Sequence, residues 1–234
     1  GGERAPFHRA LGVELATRRD GRRVRLEGRL FGERHTGVER GTDFHLTRFI
    51  TEDDMPLASP VEEGDVAGVE LLARWQHGLD PQGLLASGTL RGEAAAGDLS
   101  WQRVAASVAL VHPLPFRLAG ALEVTGGTGW GVPPQRRFFV GGQGTVRGFE
   151  EGSLQGESFW AVRSEIAGDA PAFRVAVFGD LGWAGPRDGV RSGVPVASAG
   201  VGLSLLDGVF RADLARIVRG GSRMRVHFYL DGLF

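Results

Sequence analysis

The sequence predicts an all-β chain, a transmembrane antiparallel β-barrel with about 12 strands present. Three observations predict it. Apolar and polar residues alternate with a period of two over much of the 234 residues, which is the strand period. Most alternating runs are about 10–13 residues long; strands of soluble proteins usually run about five or six, whereas a tilted membrane-crossing strand needs roughly 9–11. The links between runs alternate between short and long, as they do at the two ends of a membrane barrel.

The strands are expected, in order, near 6–17, 21–33, 42–50, 66–78, 83–95, 100–111, 116–126, 157–167, 172–184, 195–206, 209–218 and 222–234. In the second, Val24, Leu26, Gly28, Leu30 and Gly32 share one face, and Arg23, Arg25, Glu27 and Arg29 the other, with Phe31 breaking the pattern. Phe116, Leu118, Gly120, Leu122 and Val124 repeat it, as do Met224, Val226, Phe228, Leu230, Gly232 and Phe234. Short turns are expected at Leu79–Gln82, His112–Pro115, Gly168–Pro171 and Asp207–Gly208, and longer links at 51–65, 127–156 and 185–194. With a periplasmic C-terminus, the long links fall outside and the short turns inside. The link at 34–41 fits less well, being fairly long for a periplasmic turn. Periodicity alone does not choose between a soluble barrel, charged face out, and a membrane barrel, charged face in. Strand length, strand count and Trp75, Trp130, Trp160 and Trp183 near strand ends favour the membrane.

Composition narrows the function. Glycine is abundant, 38 residues, but without a three-residue period, which excludes collagen. The absence of cysteine excludes a disulfide scaffold, thiolate metal ligands and a cysteine nucleophile. With 27 basic and 28 acidic side chains, no nucleic-acid partner is expected. No run approaches the roughly 18 apolar residues of a membrane helix, a test that a barrel passes unnoticed. Gly1–Arg4 leads into no signal-like apolar segment, so the signal of an exported protein would lie upstream of Gly1. Residues 1–234 read as one β-barrel domain without a clear internal boundary.

The longest link holds Pro133-Pro134-Gln135-Arg136-Arg137-Phe138-Phe139-Val140-Gly141-Gly142-Gln143-Gly144-Thr145-Val146-Arg147-Gly148-Phe149. This segment resembles the signature loop of the outer-membrane assembly-factor superfamily, the surface-antigen barrels that include BamA, TamA and the two-partner-secretion transporters. There, F-x-x-G-G followed by V-R-G-[FY] folds back into the barrel lumen. Phe138 or Phe139, Gly141, Gly142, Val146, Arg147, Gly148 and Phe149 match it. The family's glutamate on the following strand is matched by Glu165, and its F-x-D pair by Phe178 and Asp180. The C-terminus, with Phe228, Leu230, Gly232 and Phe234, is similar to the aromatic-terminated signal of outer-membrane proteins. Motifs cover about the last 120 residues, and strand pattern the remainder.

The alternation supplies its own chemistry. Glu165 shares a face with Arg163, and Asp180 with Phe178 and Arg174. If the apolar faces meet lipid, both carboxylates point inward, where an arginine at a loop tip can bind both. Other chemistry is weaker. His8, His35, His45, His77, His112 and His227 are scattered, and none pairs at a metal-binding spacing. Gly141–Gly144 precedes no helix, so a phosphate loop is not expected. Ser153 and Ser158 have no recognisable histidine and carboxylate partners. Glu52, Asp53, Asp54, Glu62, Glu63 and Asp65 are better read as a solvated loop than as a Ca²⁺ site. Arg18, Arg19, Arg22, Arg23 and Arg25 form a basic hairpin tip, facing solvent or anionic headgroups.

The resemblance implies the last 12 strands of a sixteen-strand barrel, located in the bacterial outer membrane. It implies insertion of proteins into that membrane or translocation across it, without an enzymatic role or a cofactor. The implied partners are membrane lipid, client outer-membrane or secreted polypeptides, and assembly-complex lipoproteins. Two alternatives share the barrel: a passive porin-like channel, and an anchor or exporter for an upstream lipase-like domain.

Overall fold

The computed structural model describes residues 8–37, 61–78, 80, 83–168, 173–205 and 209–230. Eleven strands form one antiparallel sheet: β1 (His8–Asp20), β2 (Val24–Gly37), β3 (Gly64–His77), β4 (Leu85–Gly97), β5 (Trp101–Leu114), β6 (Leu118–Trp130), β9 (Ser158–Gly168), β10 (Phe173–Gly185), β11 (Val196–Leu205), β12 (Phe210–Arg219) and β13 (Met224–Leu230). Two short strands, β7 (Phe138–Val140) and β8 (Leu154–Gly156), pair as a separate hairpin inside the β6–β9 link. Each strand of the large sheet pairs with its neighbour in sequence, except that β6 pairs directly with β9. The β7–β8 link is therefore an insertion between adjacent strands.

The two faces of this sheet are opposite in chemistry. Leu11, Val13, Leu15, Val69, Leu71, Val175, Val177, Val201, Leu203 and Phe228 are exposed. Glu70, Glu93, Asp180 and Asp213 are buried, the last completely. A water-soluble sandwich buries its apolar face; here the apolar face is outward and the carboxylates point inward, as in a membrane barrel. Loop residues reach β2 at one side of the sheet and β13 at the other, so the sheet curls around its own insertion. Among the described residues, no helix is long and apolar enough to cross a membrane, which says nothing of strands.

The register changes several expectations. Eleven of the twelve expected strands lie in the large sheet; 42–50 falls outside the described residues. Strands β2 and β3 pair directly from His35↔Gly64 to Val24↔Trp75, leaving no strand between them. The connection from β2 to β3 thus leaves the sheet at the same end as the β6–β9 insertion, and residues 34–37, expected in a link, belong to β2. Phe31 breaks the outward pattern because it faces inward, packing with Val66, Ala95 and Trp101. The strand expected to begin at 116 begins at Leu118. Pro115–Arg117 is a 3-10 turn, with Phe116 and Arg117 at φ 64° and 58°.

Candidate functional site

The insertion between β6 and β9 runs along the inner face, and its tip is Val146-Arg147-Gly148-Phe149. Val146 and Phe149 pack with Val140, Val196 and Ile217 in an apolar cluster inside the sheet. Leu154, Phe159 and Ala184 close over its sides. Between these apolar residues, the Arg147 side chain is 1% exposed. Isolated burial of a guanidinium is prohibitive, so its partners decide whether the loop can lie there.

Those partners come from three strands, β9, β10 and β12. Arg147 Nε donates to Asp180 Oδ2 at 2.7 Å and Nη2 to Oδ1 at 2.8 Å, a two-pronged pair. The backbone amide of Arg147 donates to the same Oδ2 at 3.0 Å. Nη1 donates to Glu165 Oε2 on β9 at 2.9 Å and, more weakly, to Asp213 Oδ2 on β12 at 3.4 Å. The guanidinium lies 3.6 Å from the Phe178 ring centroid, one residue pair below Asp180 on β10. Burial disfavours the Arg147 charge, but Asp180 and Glu165 outweigh it and raise its pKa above the ordinary arginine range.

A further ring of side chains completes the charge balance. Arg211 donates to Glu165 Oε1 and to Asp213 Oδ1, each at 2.9 Å. Tyr229 Oη donates to Asp213 Oδ2 at 2.7 Å. The Gly148 amide donates to His227 Nε2 at 3.2 Å, and Arg225 reaches Glu150 at 2.8 Å. Two arginines and three carboxylates therefore share the site, and every Asp213 oxygen has a donor.

Local backbone geometry requires the glycines. Gly148 has φ +88°, and a Cβ there would sit 3.2 Å from Ala215 Cβ. Gly141 and Gly142 have φ +122° and +85°. At Gly141 a Cβ would run into the Glu150 carbonyl oxygen. Phe228 projects from the outer face of β13; Gly232 and Phe234 lie outside the described residues, as does the Leu230 side chain.

The insertion has a second attachment that the sequence reading did not assign. Gln135 Nε2 donates to the Glu62 carbonyl at 2.8 Å, and the Glu62 amide donates back to Gln135 Oε1 at 3.2 Å. Arg136 pairs with Glu33 on β2 and sits over the Trp101 ring, its guanidinium 5.4 Å from the centroid. Glu93 on β4 accepts from Trp101 Nε1 at 2.9 Å and from Arg103 Nε at 2.8 Å. Arg103 Nη1 in turn donates to the Arg136 carbonyl at 2.9 Å. The usable signal was Phe31: a large apolar residue on the charged face marks a covered patch of wall. Among the described residues no group of three metal-ligating side chains occurs.

The whole arrangement is a loop plugged into a curled sheet and held by buried charge. Similarity agrees with this geometry. The family model described as the Omp85 superfamily domain matches residues 81–216, more than half the chain. Among solved structures, the chain is similar to BamA from Haemophilus ducreyi lacking POTRA domains 1–3, with a TM-score of 0.64 at 16% identity. The match covers 94% of this chain and 53% of that one, so the chain spans about half the length of that relative. No curated protein sequence matches. By the family match and the shared fold, the chain belongs to the Omp85 superfamily.

Proposed function

We propose that residues 1–234 are a β-barrel unit of the bacterial outer membrane that inserts polypeptides into that membrane or translocates them across it. One observation carries the reading: a buried arginine at the loop tip gathers carboxylates from β9, β10 and β12, while the same tip bonds β13. The loop thereby fixes the strands beside one edge of the sheet. Among the described residues β13 has β12 as its single neighbour, so its outer edge presents unpaired backbone donors and acceptors. A client strand can add to such an edge, gaining main-chain hydrogen bonds as it enters the bilayer. The reaction is non-covalent and needs no cofactor from this chain. Signature-loop residues Gly141, Gly142, Val146, Arg147, Gly148 and Phe149 act as the plug, with Glu165, Phe178 and Asp180 as its anchor. Phe228, Leu230, Gly232 and Phe234 act as the C-terminal targeting strand. Membrane lipid, client polypeptides and assembly lipoproteins are the partners.

A passive channel needs an open lumen, and the insertion occupying the inner face speaks against it. The test is client assembly in proteoliposomes. Vesicles carrying the chain should fold an added outer-membrane client, read as heat-modifiable gel mobility, faster than empty vesicles. Equal client folding together with a large, steady conductance would instead establish a pore.

A further inference from the structure

On the outward face of β9–β12, from Trp160 to Ile166, Val175 to Trp183, Ala197 to Leu205 and Phe210 to Leu214, every alternate side chain is apolar or small. The next outward position on β12 is Arg216, opposite Met224, itself exposed on the outer face. A register shift between Ala197 and Ser198 then brings Arg219 opposite Ala197, on the same face. Arg223, in the tight β12–β13 turn, accepts the Ile217 amide through its carbonyl and is exposed. Three arginines thus stand together at the end of the sheet from which the β6–β9 insertion leaves.

They differ from most other arginines of the sheet; among the described residues, only Arg9, Arg19 and Arg174 on its strands share their lack of a carboxylate partner. Arg29, Arg34, Arg74, Arg91, Arg103, Arg163, Arg211 and Arg225 each have a carboxylate partner. At the same end of β2 and β3, the outward Arg34 is neutralised by Asp65. Among the described residues, no carboxylate lies within ion-pair distance of Arg216, Arg219 or Arg223. A guanidinium at the border of an apolar face is costly in hydrocarbon unless its long stem carries the charge outward to an anion. Planar, multidentate recognition is what arginine offers a phosphate.

We propose that Arg216, Arg219 and Arg223 bind the phosphate of an anionic lipid headgroup in the leaflet at the loop end of the barrel. The site rests on the membrane orientation proposed above. Its acyl chains lie against Leu214, Val226 and Phe228, which are exposed beneath the arginines. The lipid therefore sits against β13, the strand bonded to the loop tip through His227. The basic tip of the β1–β2 hairpin provides the comparison: Arg18 and Arg25 are neutralised by Asp20, while Arg19, Arg22 and Arg23 lie at the opposite end.

The test uses the full chain in vesicles of phosphatidylcholine, alone or with diphosphorylated lipid A, followed by native mass spectrometry of the detergent-released protein. Heat-modifiable insertion into phosphatidylcholine reports on membrane orientation independently of headgroup choice. The wild type should retain lipid A in preference to phosphatidylcholine. The Arg216→Gln/Arg219→Gln/Arg223→Gln variant should lose at least about tenfold of that preference. Arg19→Gln/Arg22→Gln/Arg23→Gln should keep it. Equal preference in wild type and the β12–β13 variant would overturn the site, as would displacement of lipid A by inorganic phosphate. If the triple variant does not insert, Arg219→Gln alone decides, reduced preference supporting the site and unchanged preference overturning it.

Discussion

The Gly148 amide bonds the imidazole Nε2 of His227, and this contact ties the tip of the inserted loop to β13, the last described strand of the sheet. Because Nε2 accepts, the histidine must hold its proton elsewhere for the bond to exist. His227→Phe keeps a ring of similar size and removes the acceptor. Hydrogen exchange at the Gly148 amide should then rise by up to about tenfold, the weight of one net hydrogen bond. An unchanged rate would mean that the loop tip is held without β13.

Asp180 accepts three hydrogen bonds from Arg147 alone, and its side chain is fully buried. Asp180→Asn preserves shape but leaves the guanidinium short of a counter-charge. Breaking a buried pair in this way costs about 3–5 kcal/mol. The variant should show a lower urea midpoint for the heat-modifiable form, while the outer face and its affinity for bilayers stay unchanged.

Two glycines of the loop separate backbone demand from composition. Gly148→Ala places a Cβ against Ala215 at φ +88° and should cost about 1–3 kcal/mol. Gly144 is exposed, with nothing within 4 Å of a built Cβ, so Gly144→Ala should change stability by less than about 0.5 kcal/mol. Thermal unfolding of both variants in one detergent compares them directly.

The second attachment predicts a protease phenotype. Glu93 is nearly inaccessible, pairs with Arg103 and lies 3.7 Å from Arg136. Glu93→Gln should loosen the first limb of the insertion without touching the Arg147 cluster. Trypsin added to the folded variant should cut after Arg136 or Arg137 several-fold faster than in the wild type. An unchanged rate would confine the loop's attachment to its tip.

Much of this architecture was readable because period-two alternation survives wherever one side of a strand meets a wet interior. The reading strained where that rule met something else. Phe31 looked like a flaw in the pattern, yet it faces inward and packs with Val66, Ala95 and Trp101. Residues 116 and 117 alternate correctly, yet Pro115 starts a turn there. In the site, Arg147, Glu165 and Asp180 stood out because a motif singled them out. Arg211, Asp213, His227 and Tyr229 lie on strands whose inward faces carry several polar residues in alternation, so nothing local distinguishes the member that meets the loop. Gln135 and Arg136 were in plain view beside the motif. Their partners Glu33, Glu62 and Glu93 are 103, 73 and 43 residues away in sequence, a relationship only the curl of the sheet reveals.

The central claim is that the loop is held inside the barrel by attraction between Arg147 and Asp180, and a double-mutant cycle measures that attraction directly. Unfolding free energies of the wild type, Arg147→Ala, Asp180→Ala and the double variant should give a coupling of about 2–3 kcal/mol, the double variant being far less damaged than the sum of the singles. Additivity to within about 0.5 kcal/mol would contradict it.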